Sequence, residues 1–160
     1  MKKTYLSIIL VTLSIYSFGQ NADSIIRNRS HLGITLGHIS QNDNFWTIGA
    51  IKGKHYRSMR IPSRGYGLAA EFNFNQSNSI FGAKAFYEYN FGIIVGSRIN
   101  ATTYFKGSVR DFRVTPEIGL SGLGMINIFY GYNIPVSGSE INEVSRQRIN
   151  ITINIIGRMN

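Results

Sequence analysis

The chain has no cysteine, which rules out disulfide bridges, a thiolate metal site, a cysteine nucleophile and the lipid-modified cysteine of a lipoprotein. A fold lacking these devices rests on packing and backbone pairing. Beyond its first twenty residues there is also no apolar run long enough to cross a bilayer as a helix, since that takes roughly 20 such residues. Acidic residues are scarce: eight Asp and Glu stand against 17 Lys and Arg, a formal charge of +9. Such a surplus points to an anionic counterpart, whether nucleic acid, lipid phosphate or lipopolysaccharide. No low-complexity tract or fixed repeat interrupts the 160 residues, and their 43% apolar content fits one folded domain.

Patterns that carry chemistry are missing as well. His31 and His38 are seven residues apart, which places them on opposite faces of a strand. His55 falls in a link, so no metal-ligand spacing results. The nucleophile-elbow pattern is absent, and the serines and acids are too scattered to define a triad by spacing. The expectation is a protein with neither enzymatic activity nor a cofactor.

What is present begins with the amino-terminal segment. Lys2 and Lys3 form a basic start, Tyr5 to Tyr16 an apolar run, and Ser17-Phe18-Gly19 places small residues three and one before a cut. Residues 1–19 therefore read as a secretory signal cleaved before Gln20. About a dozen apolar residues are too few for a spanning helix. Residues 20–29 are polar and read as a flexible leader, with the folded domain at 30–160. A chain that loses Lys2 and Lys3 and has no spanning helix must use strands if it enters a membrane.

From Ser30 onward the apolar period is 2. Leu68, Ala70, Phe72 and Phe74 alternate with Ala69, Glu71, Asn73 and Asn75. Ile149, Ile151, Ile153 and Ile155 alternate with Asn150, Thr152 and Asn154, a β-branched pattern that suits a pleated strand. Eight strands are expected near 30–39, 44–53, 65–75, 79–89, 92–104, 110–120, 123–134 and 146–157. Each has about the 9 to 11 residues of a tilted membrane strand. Turn formers lie at Gln41-Asn42-Asp43, Gln76-Ser77-Asn78, Asn90-Phe91-Gly92 and Ser121-Gly122, and such short links imply antiparallel neighbours. The two longer links, 54–64 and 135–145, are polar.

The predicted fold is all-β, an eight-stranded antiparallel up-and-down barrel. Which face points outward depends on the polar set, which is mainly Gly, Thr, Asn and Ser, with Gly82, Gly96, Gly119 and Gly131 among them. Small residues with few charges suit a narrow interior. The opposite set, including Leu68, Phe81, Ile99, Ile118, Ile126 and Ile128, reads as a lipid-facing band. Aromatics gather near strand ends at Phe72 and Phe74, Tyr87 to Phe91, Tyr104 and Phe105, and Phe129 to Tyr132, as interfacial girdles do. The aromatic core of a secreted soluble barrel gives the same alternation.

The stretch Thr115-Pro116-Glu117-Ile118-Gly119-Leu120, followed by Leu123-Gly124-Met125-Ile126-Asn127-Ile128-Phe129-Tyr130-Gly131-Tyr132-Asn133-Ile134-Pro135, resembles small outer-membrane β-barrel proteins of the Bacteroidetes type. The signal ending in Ser17-Phe18-Gly19-Gln20 is similar too. The resemblance implies an OmpA/OmpX-like transmembrane barrel over nearly all of the mature chain. It also implies a Gram-negative outer-membrane location, with outer-membrane lipid or lipopolysaccharide and the barrel-assembly machinery as partners. Barrels of that kind commonly finish on an aromatic residue. This chain ends Ile155-Ile156-Gly157-Arg158-Met159-Asn160, which implies a tail past the last strand.

Parity places Glu71, Lys84, Glu88, Arg98, Arg113 and Glu117 together on the polar face. With turns centred on Ser77 to Asn78 and on Phe91, Glu71 falls opposite Lys84 and Lys84 opposite Arg98. Isolated buried charges are expensive, so this set reads as a salt-bridged plug; the alternative is a selectivity ring in a narrow solute channel. Lys52, Lys54, His55, Arg57, Arg60 and Arg64 form a basic link with Tyr56 and Tyr66 towards its ends. It reads either as a contact for lipid phosphate or lipopolysaccharide or as a solvated turn. Nucleic acid is not expected, because an exported chain rarely meets it and no recognition motif accompanies the charge. The functional expectation is a non-enzymatic outer-membrane barrel, structural or loop-displaying. The alternatives are a soluble barrel that binds a small apolar ligand and a narrow solute channel.

Overall fold

Alternating bulky and small residues suit a pleated backbone with one face buried, and the chain forms strands wherever that alternation runs. The computed structural model describes residues 31–54, 63–74, 79–91, 94–122, 124–136 and 140–156. The expected signal at 1–19, the leader at 20–29 and the turn at 76–78 lie outside the described residues. The strands are β1 (His31–Ser40), β2 (Asn44–Lys54), β3 (Ser63–Asn73), β4 (Ile80–Phe91), β5 (Val95–Lys106), β6 (Val109–Gly122), β7 (Ile126–Tyr132), β8 (Ile134–Pro135) and β9 (Gln147–Ile156). No described helix accompanies them.

From β1 to β7 consecutive strands pair antiparallel, β7 pairs with β9 and β9 with β1, so the sheet closes on itself. β8 continues β7 rather than adding a stave. Glu117 pairs with Gly131, and four residues earlier on β6, Arg113 pairs with Pro135, in unbroken register. Asn133 sits between the two; its amide donates to the Arg146 carbonyl at 2.6 Å. Eight staves result, as the sequence predicts, with strand ends displaced by at most three residues.

The stagger of the barrel follows from its pairing. From Leu120 the ladder runs to Ile128, Ile151, His38, Trp46, Phe72, Phe81, Phe105 and then Arg110. One circuit therefore returns to β6 ten residues from where it began. For eight strands this shear corresponds to a tilt of about 40° and a backbone radius of about 8 Å, a lumen wide enough for side chains and little else.

Connections alternate between two ends. The β1–β2, β3–β4, β5–β6 and β8–β9 connections share one, called here the loop end. β1 begins and β9 finishes at the other, the terminal end, with the β2–β3, β4–β5 and β6–β7 connections. The β5–β6 hairpin is a two-residue turn, Gly107-Ser108, between paired Lys106 and Val109. Gly107 has φ +57, the left-handed conformation that primed hairpin turns use.

Burial runs opposite to that of a water-soluble domain. Buried polar and charged residues outnumber buried apolar ones, whereas Leu68, Ile118, Leu120, Ile126, Trp46 and Ile155 are each more than half exposed. Every stave presents its bulky apolar set outward. Tyr104 and Phe129, expected in the outer girdles, are instead fully buried inside. They share inward parity with Thr102 and Asn127, and their neighbours Phe105 and Tyr130 take the outer positions.

At Gly119 the wall strands meet so closely that an added Cβ would lie 2.0 Å from the Ile128 carbonyl oxygen and 2.8 Å from Phe129 Cα. Gly119→Ala is expected to destabilise the barrel by about 1–3 kcal/mol, measured by urea unfolding. Gly122→Ala, whose nearest neighbouring atom is 3.5 Å away, is expected to unfold at the wild-type midpoint.

Candidate functional site

The lumen holds the buried charges among the described residues. Two walls divide the work. β1 to β3 turn small residues inward, among them Thr35, Gly37, Thr47, Gly49, Gly67 and Ala69. The remaining staves, together with Glu71 of β3, supply most of the long side chains that fill the space.

The result is a chain of alternating sign across the barrel. Lys84 Nζ lies 2.7 Å from Glu71 Oε1, and the same carboxylate faces Arg148 Nη1 at 3.5 Å. Arg148 also engages Glu117 Oε1 through Nη2 at 2.7 Å and Nε at 2.8 Å. Glu117 reaches Arg98 Nη1 at 3.8 Å, and Arg98 Nη2 meets Glu88 Oε2 at 2.5 Å. Asn90 donates to Glu88 at 2.9 Å and to Ser63 Oγ at 3.1 Å, ending the chain towards the terminal end. The Arg98 guanidinium lies over the rings of Phe129 at 4.7 Å and Phe86 at 5.2 Å, which shelters its faces while its edges hydrogen-bond.

Arg113 stands apart. It pairs with Asp111 at 2.6 Å near the loop end, where its guanidinium also donates to the carbonyls of Val144 at 2.7 Å and Ile141 at 3.3 Å. Asp111 in turn accepts from the Ile141 amide at 2.9 Å. These bonds draw the β8–β9 connection inward, and Ile141 and Val144 pack with Ile39, Phe45, Ile80 and Tyr104 into an apolar layer. Tyr104 belongs to both regions. Its ring meets Phe45 at 5.9 Å, and its hydroxyl donates to Glu71 at 2.6 Å. Lys106 fastens the same connection at the rim by pairing with Glu143, and this hydrogen bond holds the Glu143 carboxyl below the usual carboxylate range.

All six expected lumen residues are buried, but their pairing differs from the expected ladder. Gly82 and not Lys84 stands opposite Glu71, and Thr102 and not Arg98 stands opposite Lys84. The β4–β5 turn follows Phe91 instead of centring on it, which moves the register by four and brings Glu88 opposite Arg98. The Glu71–Lys84 pair survives a shift of two because the lysine is long enough to reach. Sequence reasoning overlooked Arg148, Asp111 and Tyr104. Parity alone identifies the first two: Arg148 precedes Asn150 by two residues, and Asp111 precedes Arg113 by two.

Among the described residues the lumen therefore holds four carboxylates, Glu71, Glu88, Asp111 and Glu117, against four cations, Lys84, Arg98, Arg113 and Arg148. The members of the basic link fall elsewhere. Lys52 and Arg64 are exposed on the outer wall near the terminal end, and Lys54 pairs with Arg64 in the ladder. His55, Arg57 and Arg60 lie outside the described residues. No three described His, Cys, Asp or Glu side chains are grouped to hold a metal ion. A groove of about 570 Å³ opens on the outer surface, lined by Leu36, His38, Trp46, Ile48, Phe72 and Ile151 among others. Comparison with known proteins returns no family model, no curated protein and no solved structure that matches this chain.

Glu117 is the junction of the ion chain, so Glu117→Met leaves Arg148 and Arg98 undercompensated. The expected cost is about 3–5 kcal/mol in urea unfolding. Glu117→Met combined with Arg148→Met restores a neutral lumen, with Glu71 still paired to Lys84 and Arg98 to Glu88, and is expected to recover most of that loss. Additive single losses would contradict the mutual dependence of the pair.

Proposed function

We propose that this chain is a non-enzymatic outer-membrane β-barrel of the OmpA/OmpX-like kind, exported by a cleaved signal at 1–19. It acts structurally or by displaying its loop end. The observation that carries this reading is the inverted burial: an interior in which polar and ion-paired side chains predominate, within a wall whose outer surface is mainly apolar on every stave.

Physical cost supports a lipid environment over water. Burying a large apolar side chain is worth roughly 1.5–3 kcal/mol, and water-soluble monomers rarely expose contiguous apolar patches beyond a few hundred Å². Here such residues encircle the molecule, and in hydrocarbon their exposure costs nothing. Closure of the sheet also satisfies the backbone, which membrane-crossing strands require. A soluble barrel binding an apolar ligand inside needs the opposite arrangement, with the apolar face lining the lumen. The interior bears equally on transport. Its charges are engaged with one another and the apolar layer caps the loop end, which favours a closed barrel over a solute channel. Outer-membrane lipid or lipopolysaccharide and the barrel-assembly machinery are the partners this reading implies.

The test is cell fractionation of the expressed full-length chain, then gel migration of the detergent extract with and without boiling. Outer-membrane recovery with a heat-dependent shift is expected. A monomer that remains in solution without detergent would overturn the reading.

A further inference from the structure

The lumen is neutral, and the loop end is close to it. There Lys106 pairs with Glu143, Arg146 with Glu140 at 3.3 Å, and Arg110 lies over the Phe105 ring at 5.9 Å. The terminal end is different. Lys52 on β2 and Arg64 on β3 are both exposed on the outer wall, and no described carboxylate pairs with either. The chain has no acid at all between Asp43 and Glu71.

The surroundings of these two cations are specific. Lys52 stands opposite Tyr66, and Tyr66 stands opposite Tyr87 on the next stave. Lys54 stands opposite Arg64, which in turn stands opposite Tyr89. Cations and phenols thus interleave on three neighbouring strands at one level, with Tyr66 57% and Tyr87 43% exposed. Towards the loop end the same faces turn purely apolar, with Leu68, Ala70, Ala83 and Ala85. Tyrosine rings settle at the headgroup level of a bilayer, and long cationic side chains beside them extend to phosphates.

Resting on the membrane-barrel reading, we infer that the outer face of β2–β4 at the terminal end is a docking surface for the phosphate headgroups of anionic phospholipid. Lys52 and Arg64 make the contacts, and Tyr66 and Tyr87 set the depth. The leaflet follows from charge. Moving uncompensated cations through hydrocarbon is costly, so the paired loop end crosses the membrane. The terminal end stays on the side from which an exported chain inserts. That leaflet is phospholipid, which favours it over lipopolysaccharide as the occupant.

The experiment refolds the mature chain into vesicles of phosphatidylcholine mixed with phosphatidylglycerol and measures the composition of the lipid that stays with the protein on extraction. Phosphatidylglycerol is expected to be enriched about tenfold, from two cations at an anionic surface, with the enrichment falling at high salt. Lys52→Gln/Arg64→Gln is expected to abolish it, while Lys52→Arg/Arg64→Lys and the loop-end variant Lys106→Gln keep it. A barrel that folds in these vesicles with a heat-dependent gel shift but shows no enrichment, or equal enrichment in the double Gln variant, overturns the docking surface and leaves the membrane reading standing. Displacement of phosphatidylglycerol from Lys52 and Arg64 by added lipopolysaccharide overturns the choice of occupant. A chain that enters no vesicle overturns both readings.

Discussion

A charge enclosed by a barrel wall has no water to turn to, and every other feature of this molecule adjusts to that constraint. Removing one partner of a buried pair leaves a cost far larger than the pair itself contributes, so the interior has to balance as a set. The chain meets this with the alternating run Lys84, Glu71, Arg148, Glu117, Arg98 and Glu88, and with the separate pair Arg113–Asp111. The small residues on β1 to β3 make room for these long side chains. The ten-residue stagger keeps the wall close enough that they touch.

The two ends of the lumen are finished by different means. At the loop end Arg113 and Asp111 bind the backbone of the β8–β9 connection, so an ion pair inside the wall becomes the anchor of an apolar cap. Tyr104 joins the cap to the central run, since its ring packs with Phe45 and its hydroxyl bonds Glu71. At the terminal end the run fades into neutral groups, Asn90 with Ser63 and Asn154 with the Gly124 carbonyl. Among the described residues, Lys52 and Arg64 carry positive charge on the outside, beside the tyrosines of β3 and β4.

Parity is the part of this architecture that a single sequence displays. The Ile149 to Ile155 alternation and the Leu68 to Phe74 alternation each fix which residues share a face, and that sufficed for eight staves and for placing Glu71, Lys84, Glu88, Arg98, Arg113 and Glu117 inside. Register is not displayed, because slips of two or four residues keep parity intact; Lys84 therefore found Glu71 across a diagonal, and Arg98 found Glu88 instead of Lys84. Aromatic residues were harder still. Tyr104 and Phe105 are neighbours of similar size, and only the pleat decides which of them is buried. The inward fold of the β8–β9 connection depends on Arg113 reaching carbonyls some thirty residues away, which no local pattern announces.

Trp46 offers the most direct test of the central claim, that the apolar outer wall faces lipid while the charges stay within. It is the sole tryptophan of the chain, and it is 55% exposed on the outer face of β2, opposite His38 and Phe72. In vesicles made with lipids brominated along their acyl chains, its fluorescence is expected to be strongly quenched, and aqueous iodide is expected to leave it unchanged. Quenching by iodide with no response to brominated lipid would place that wall in water and contradict the account.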